Sequence, residues 1–465
     1  MSTKSLQDAV AGAGGAVEYL RNNPALPYQF PVKPEFSNWR SEQRAWRETA
    51  SLLDQSHHMT DLFIRGSDAL RVFAELGANN FSRFRPDVAK QLVLTNHEGY
   101  LVGDGILFFL AEDELDFVSP SSLVVDWVQY HAATGGYDVS IERDENSFAR
   151  SGPPKLFRFE VQGPSAAKIL ETASGHTVPE VRFFHMTRFR IAGLEVRALR
   201  HGMAGQPGFE LFGPYENGEA VRAAILEAGS EHGILPAGSR AYATANLESG
   251  WIPSPLPAIF SGEGMEAFRS WCPAEHAGAL GGSFVSSNIE DFYVTPFDLG
   301  YGPIVAFDHE FPGREALQRL AERPSRQKVT LVWNRDDVAN AMLSQLGPEL
   351  SAKFMEWPKS RYALYQVDQV LDLDGTPIGI SLDCGYIYNE KAFVSLAAVE
   401  TEHAATGAEV QVLWGERPNS SKPAIEPHVQ VALRATVAPA PYDAYARSTY
   451  RVSTYTDGAT VDASA

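Results

Sequence analysis

Cysteine is nearly missing from this chain: Cys272 and Cys384 are the only two in 465 residues, and they have no metal-ligand spacing. That excludes a disulfide framework and points to a reducing, cytoplasmic setting. No apolar run approaches the roughly 18 residues of a membrane span, and the opening M-S-T-K-S-L-Q-D-A-V lacks the basic-then-apolar build of a secretory leader. Positive charge is also short. Lys and Arg number 39 against 58 Asp and Glu, a net charge of −19, which argues against nucleic acid or anionic membrane as partners. No G-x-x-x-x-G-K-[ST] loop, G-x-S-x-G elbow or H-E-x-x-H helix occurs, and Gly12, Gly14 and Gly15 follow no strand that would make them a dinucleotide fingerprint. His57 and His58 are sequence neighbours, and adjacent residues do not converge on one ion from a regular element; no metal is expected.

What is present gathers in residues 200–251. Gly202, Gly205 and Gly208 punctuate a turn, Glu210 sits between Phe209 and Leu211-Phe212, and a helix and a second glycine turn follow. Glycine at that density lets backbone approach a flat ligand closely. A carboxylate in such an apolar setting needs a partner, and two amine donors on a ligand would serve.

Earlier in the chain, Pro24, Pro27, Pro31 and Pro34 mark an extended stretch whose Tyr28 and Phe30 read as packing on the body of the protein. The pattern predicts a polar helix over 41–53, a buried strand at 62–64, and a helix opened by Gly66-Ser67-Asp68 with Ser67 as its cap. Phe159-Glu160-Val161-Gln162-Gly163-Pro164-Ser165-Ala166 echoes Phe63-Ile64-Arg65-Gly66-Ser67-Asp68-Ala69. Each copy is a strand, a glycine turn and an Ala- and Leu-rich helix, so the fold class reads as α+β, two related halves around a shared centre in 1–322. After a break near 319–328 comes a separate β-domain at 328–437, with a hairpin signal at Asp374-Gly375. The tail, 438–465, is expected to be poorly ordered.

Polar residues in apolar, glycine-broken contexts are the candidates for chemistry: Gln55, His58, Asp104, Glu210 and Tyr242. Asp104 reads equally well as a turn residue between Gly103 and Gly105, and Tyr242 taken alone reads as a core aromatic with a satisfied hydroxyl. From residues only, the expectation is a cleft between two halves that binds a planar polar ligand.

The succession of D-Q-S-H-H-M-T-D-L-F-I-R-G-S-D-A at 54–69, L-T-N-H-E-G-Y-L-V-G-D-G at 94–105, R-H-G-M-A-G-Q-P-G-F-E-L at 200–211, P-A-G-S-R-A-Y-A-T-A-N-L-E-S-G at 236–250 and T-P-F-D-L-G-Y-G-P-I-V-A-F-D at 295–308 resembles the aminomethyltransferase superfamily. That resemblance implies two α+β halves around a central tetrahydrofolate cavity and a C-terminal β-barrel or jelly-roll domain. It implies that Glu210 receives the pterin's amino-amide edge and that Asp104 lies near the folate's reactive nitrogens, with Gly103 where the family has a second acid. Tyr242 and Asn246 stand where the glycine-cleavage pattern has arginines. This departure, together with E-F-S-N-W-R at 35–40 and L-E-S-G-W-I-P-S-P-L-P-A-I at 247–259, is similar to the tetrahydrofolate-dependent aromatic O-demethylases of the vanillate and syringate type.

By that resemblance Tyr242, His58 and Asp104 are the catalytic residues, and Tyr28, Gln55 and Ser121 line the aromatic pocket. Trp251, Phe183 (or Phe184) and Gln162 join Glu210 and Asp104 at the cofactor. Ser121 stands where a carboxylate-clamping arginine would be, and a serine cannot make the bidentate charged pair. The implied partners are a methoxyaromatic and tetrahydrofolate, and the implied assembly is a monomer or homodimer. A folate-binding relative without activity, and a same-fold transferase acting on an amine or sulfonium compound, stay open as alternatives.

Overall fold

The computed structural model describes residues 4–26, 31–416, 422 and 425–451. Tyr28 lies outside these residues. Two antiparallel-rich sheets form the first part of the chain. One has five strands in the order Ala89–Thr95, Leu101–Ala111, Glu114–Ser119, Thr60–Arg65 and Ser140–Asp144. The other has six, in the order Ile234–Ala237, Ala50–Asp54, Leu156–Gln162, Gly208–Pro214, Leu194–Arg200 and Met186–Ile191. Helices Ala69–Leu76 and Ser122–Thr134 cover the first sheet, and Ala166–Ser174 and Gly218–Gly229 the second, each burying an apolar face.

The internal echo is real in space. Gly66 and Gly163 end equivalent strands with φ of 139° and 126°. A Cβ would meet the Asp138 carbonyl oxygen at 2.3 Å from Gly66, and that of Thr49 at 2.6 Å from Gly163. Both turns need a residue without a side chain, for the same reason.

Six strands close the C-terminal barrel in the order Arg326–Trp333, Ala392–Glu400, Pro377–Ile387, Asp368–Leu371, Glu409–Trp414 and Val431–Ala438. It has its own apolar core around Trp333 and Trp414. It docks on the first part through Gln43, whose Nε2 donates to Thr244 at 2.8 Å and whose Oε1 accepts from the Tyr388 N–H at 2.7 Å.

Local expectations fail in three places. The helix anticipated at 41–53 is Trp39–Glu48, and Ala50–Asp54 is a strand. Thr49 breaks the helix at φ −133°, ψ −98°, and the following A-S-L-L is buried between two neighbouring strands, where ladder pairing outweighs helix propensity. Ser67 does not cap its helix; its hydroxyl donates to Asp138 at 3.0 Å and Asp68 occupies the cap position. The described part of the tail is ordered by contacts. Asp443 caps helix Ala444–Ser448 and pairs with Arg47 at 3.1 Å, and Tyr450 is buried. Both cysteines are free and buried. Among the described residues no helix is long and apolar enough to cross a membrane.

Candidate functional site

Strand Leu156–Gln162 lies between Ala50–Asp54 and Gly208–Pro214 in the second sheet. Its sequence alternates, Phe157-Arg158-Phe159-Glu160-Val161-Gln162, so Arg158, Glu160 and Gln162 share one face. Phe157 and Phe159 pack instead into the core on the other face. All three polar residues are buried, and Glu160 stands directly opposite Glu210 in the sheet register. Arg158 and Glu160 are not among the candidate site residues of the sequence. Period-two polarity on a buried strand was the signal that could have found them.

Arg158 is the cation that the isolated Glu210 required. Its guanidinium donates to Glu210 at 3.1 Å, to Asp116 at 2.6 Å and to Asp61, and it lies between the rings of Phe108 and Phe212, 4.9 and 5.0 Å from their centroids. Burial works against its charge, but Asp61, Asp116 and Glu210 hold it protonated. Burial likewise raises the carboxyl of Glu210, and Arg158 opposes that rise. Asp61 and Asp116 come from the first sheet, so this cluster ties the two halves together.

Beside it lies a second network. The Tyr242 hydroxyl is 2.7 Å from His58 Nε2. Burial pushes His58 down to about 3, with His57 and Arg158 adding to the effect, while a hydrogen bond to the Gln55 backbone carbonyl opposes it. The ring is therefore neutral at neutral pH. A neutral imidazole carries one proton on one of its two ring nitrogens, and the tautomer sets which partner of the 2.7 Å Tyr242–His58 hydrogen bond donates. Gln55 Nε2 donates to Glu160 Oε2 at 2.7 Å, and the Met203 N–H donates to Glu160 Oε1 at 2.5 Å. Burial pushes the Glu160 carboxyl up to about 8. Burial also raises Tyr242 well above its ordinary value, helped by the charges of Glu160 and Glu210, and a hydrogen bond from the Gln55 side chain opposes the rise.

Asp104 heads a third group. Its Oδ2 accepts from Trp251 Nε1 at 2.9 Å, from the Tyr301 hydroxyl at 2.8 Å and from Gln91. Burial raises its carboxyl, and these donors and Lys328 pull it back. Burial brings Lys328 down to about 8. Tyr301 and Gln91 were not anticipated, because neither stands near Asp104 or Trp251 in a recognisable motif. Gly103 has a steric reason: a Cβ there would meet Val124 Cγ2 at 2.2 Å, so the second acid of the family pattern has no room.

The remaining candidates fall around these groups. Gln162 Oε1 accepts from the Ala204 N–H at 3.0 Å, which leaves Nε2 buried with no hydrogen-bond partner among the described residues. Phe183 packs on Phe184 and Tyr450, with centroids 4.7 and 5.2 Å away, and Arg451 lies over its ring. Tyr450 accepts from the Gly202 N–H at 3.1 Å, so the C-terminal segment reaches the glycine turn. Ser121 precedes helix Ser122–Thr134; its N–H donates to the Ser119 hydroxyl at 3.4 Å and its carbonyl accepts from the Val124 N–H at 3.1 Å, so its hydrogen bonds serve the helix start. Asn246 turns to the barrel, donating to Asp383 at 2.6 Å and accepting from Lys359 at 3.1 Å. Two open cavities, of about 330 Å³ beside Phe81 and His309 and about 360 Å³ beside Phe36 and Arg222, include none of Tyr242, Glu160, Glu210 or Asp104. Side-chain chemistry is therefore the better guide to the site than open volume.

Two α+β halves joined by buried ion pairs, with a barrel docked on them, define an aminomethyltransferase fold. The glycine-cleavage aminomethyltransferase T of Bartonella henselae superposes with a TM-score of 0.61, covering 91% of this chain and 95% of its own at 18% identity, a likeness of fold. The family profile of the GCVT N-terminal domain matches residues 7–254. Syringate O-demethylase of Sphingobium sp. is 46% identical over 96% of this chain and 98% of its own length. Sesamin methylene transferase of Sinomonas sp. is 31% identical over 88% and 90%. The chain belongs to the aminomethyltransferase superfamily, on its tetrahydrofolate-dependent O-demethylase branch.

Proposed function

We propose that this protein moves a methyl group from a methoxylated aromatic compound to tetrahydrofolate and releases the corresponding phenol. The observation that carries the reading is the buried, uncharged Tyr242–His58 pair held against Gln55 and Glu160, at a position where the superfamily's aminomethyl-transferring members have an arginine.

The residues present suit a reduced pterin. Glu210 is an acceptor for its amine edge, and the unpartnered Gln162 Nε2 is a donor for an acceptor atom on the ring. Trp251 and Asp104 stand as a joined pair. Bound tetrahydrofolate supplies the nitrogen nucleophile that accepts the methyl group.

The chain's own residues then have defined tasks. Alignment of nucleophile, methyl carbon and aryl oxygen can lower the barrier by up to about 7–11 kcal/mol. As the carbon–oxygen bond breaks, negative charge grows on the aryl oxygen. Tyr242, whose hydroxyl is hydrogen-bonded to His58 in the structure described here, turns to meet it with a donated hydrogen bond. Its acidity is suppressed by burial and by Glu160 and Glu210, so outright transfer of its proton to a phenolate would run uphill. Tyr242 acts as a hydrogen-bond donor that keeps its proton, in the manner of an oxyanion-hole group, and the proton that turns the departing phenolate into the phenol is the one the pterin nitrogen sheds on methylation. His58 is too weak a base to take that proton. It holds the hydroxyl in place until the ether oxygen replaces it.

The test is a panel of methoxyphenols with and without a ring carboxylate, extended to a methylenedioxy aromatic, a glycine derivative and a sulfonium compound, each incubated with tetrahydrofolate. Formation of 5-methyltetrahydrofolate and the free phenol is expected from the methoxyphenols. Silence from all of them would overturn the reading; product from the amine or sulfonium arm alone would replace it.

A further inference from the structure

We propose that Asp126, Cys272 and His276 form a binding site for one zinc ion, separate from the methyl-transfer residues and independent of the demethylase reading.

The three donors come from two parts of the chain. Asp126 lies on helix Ser122–Thr134, Cys272 follows helix Glu266–Trp271, and His276 ends the short turn after it. The carboxylate stands 146 residues before the cysteine. Only the fold brings them together, which is why chain spacing announced no metal.

Asp126 Oδ2 faces both partners, 2.6 Å from His276 Nδ1 and 3.5 Å from Cys272 Sγ, and the three donor atoms all lie within 4.8 Å of one another. Tetrahedral zinc, with bonds of about 2.0–2.3 Å, spaces its ligand atoms by roughly 3.3–3.6 Å. The sulfur–oxygen separation already fits. The imidazole has to back away by less than about 1 Å to reach that spacing. It can do so toward solvent, since its side chain is 22% exposed while Asp126 and Cys272 are buried.

The surroundings hold the donors in place. Arg143 Nη1 donates to Asp126 Oδ1 at 2.5 Å and to Gln129 at 2.9 Å, and Arg143 Nε pairs with Glu145 at 2.6 Å. That contact occupies Oδ1, orients the carboxylate and presents Oδ2, the task of an outer partner in a metal site. The Leu6 N–H donates to the Cys272 carbonyl at 2.8 Å, and the Tyr19 hydroxyl to the Ala274 carbonyl at 2.8 Å, so the turn is fixed as well. An ion-paired cluster of Asp126, Arg143 and His276 has no use for a thiol as a further neighbour of Oδ2. A site for a thiolate- and imidazole-binding metal has.

Binding balances in protons and charge. The thiol releases its proton to solvent, the imidazole carries its proton on Nε2, and thiolate, Nδ1 and carboxylate each give a lone pair to the ion. Thiolate and carboxylate then neutralise the metal's two charges, and Glu145 offsets Arg143. Water from the open side of His276 takes the fourth position.

The experiment titrates the reduced full-length protein with cobalt(II) as a spectroscopic stand-in for zinc. The wild type is expected to show a near-ultraviolet thiolate-to-cobalt band with one equivalent bound, and added zinc should abolish it. Cys272→Ser should lose the band, while Cys384→Ser keeps it. His276→Ala should weaken cobalt binding by at least the 10- to 100-fold that loss of an outer partner typically costs. Zinc should also raise the melting temperature of the wild type and of Cys384→Ser, but not of Cys272→Ser, because an ion that binds only the folded chain stabilises it. No thiolate band in the wild type, a band that survives Cys272→Ser, or one that vanishes with Cys384→Ser would overturn the proposal. None of these results bears on methyl transfer, which the methoxyphenol panel tests by itself.

Discussion

The Tyr242 hydroxyl and His58 Nε2 lie 2.7 Å apart in a pocket where both side chains are held uncharged. A phenol so placed is a donor with nothing else to give. Replacing Tyr242 by Phe should lower kcat by about 10²–10³, the usual worth of one donor aimed at a developing oxyanion. Tetrahydrofolate affinity, measured by titration calorimetry, should stay within about twofold, since the loss falls on the transition state. A parallel loss of folate binding would move Tyr242 from the chemistry to the cofactor.

Glu210 and Arg158 should behave differently, although they touch. Glu210→Gln removes a charged acceptor and is expected to weaken folate binding by about 10- to 100-fold with little change in melting temperature. Arg158→Met leaves Asp61, Asp116 and Glu210 buried without their common cation. Losing one partner of a buried ionic cluster typically costs about 3–5 kcal/mol. Chemical denaturation should show that loss whether or not folate is present.

Stability should depend on pH in two opposite ways. The folded chain refuses a proton at His58 until about pH 3, while the unfolded chain binds it near 6.5. His201 and His131, both brought down to about 4 by burial, add to this. Stability therefore falls as pH drops through that window. Glu160 runs the other way. Its folded value of about 8 exceeds the unfolded 4.5, so its contribution is lost as pH rises between those values. Melting curves at pH 4.5, 6.5 and 8.5 should show His58→Asn flattening the acid side and Glu160→Gln the alkaline side.

Gly103 is expected to tolerate no side chain. Its missing Cβ would lie 2.2 Å from Val124 on the helix that packs there. Gly103→Ala should cost about 1–3 kcal/mol, typical of overpacking, read as a drop in melting temperature. Val124→Ala in the same chain should restore part of the loss. No recovery would show that the backbone, rather than the valine, forbids the residue.

The repeated halves were legible in the sequence because their signals are local: a run of apolar residues, a glycine whose φ is positive in both copies, a helix directly after. The same is true of Glu210, whose apolar flanks announce a carboxylate in need of a partner. Its partner could not be read that way. Arg158 reaches it from a neighbouring strand, and Asp61 and Asp116 arrive from the other sheet. Tyr242 and His58 are separated by most of the catalytic region, so their 2.7 Å contact exists only once the strands are paired.

Side-chain alternation and turn chemistry depend on residues a few positions apart, and the sequence by itself determined those. The charge state of each buried group was decided by tertiary structure alone, because burial and the approach of distant partners set it. That is why a histidine, a tyrosine and a glutamate that look ordinary in the chain become, in the fold, a neutral relay around one hydroxyl.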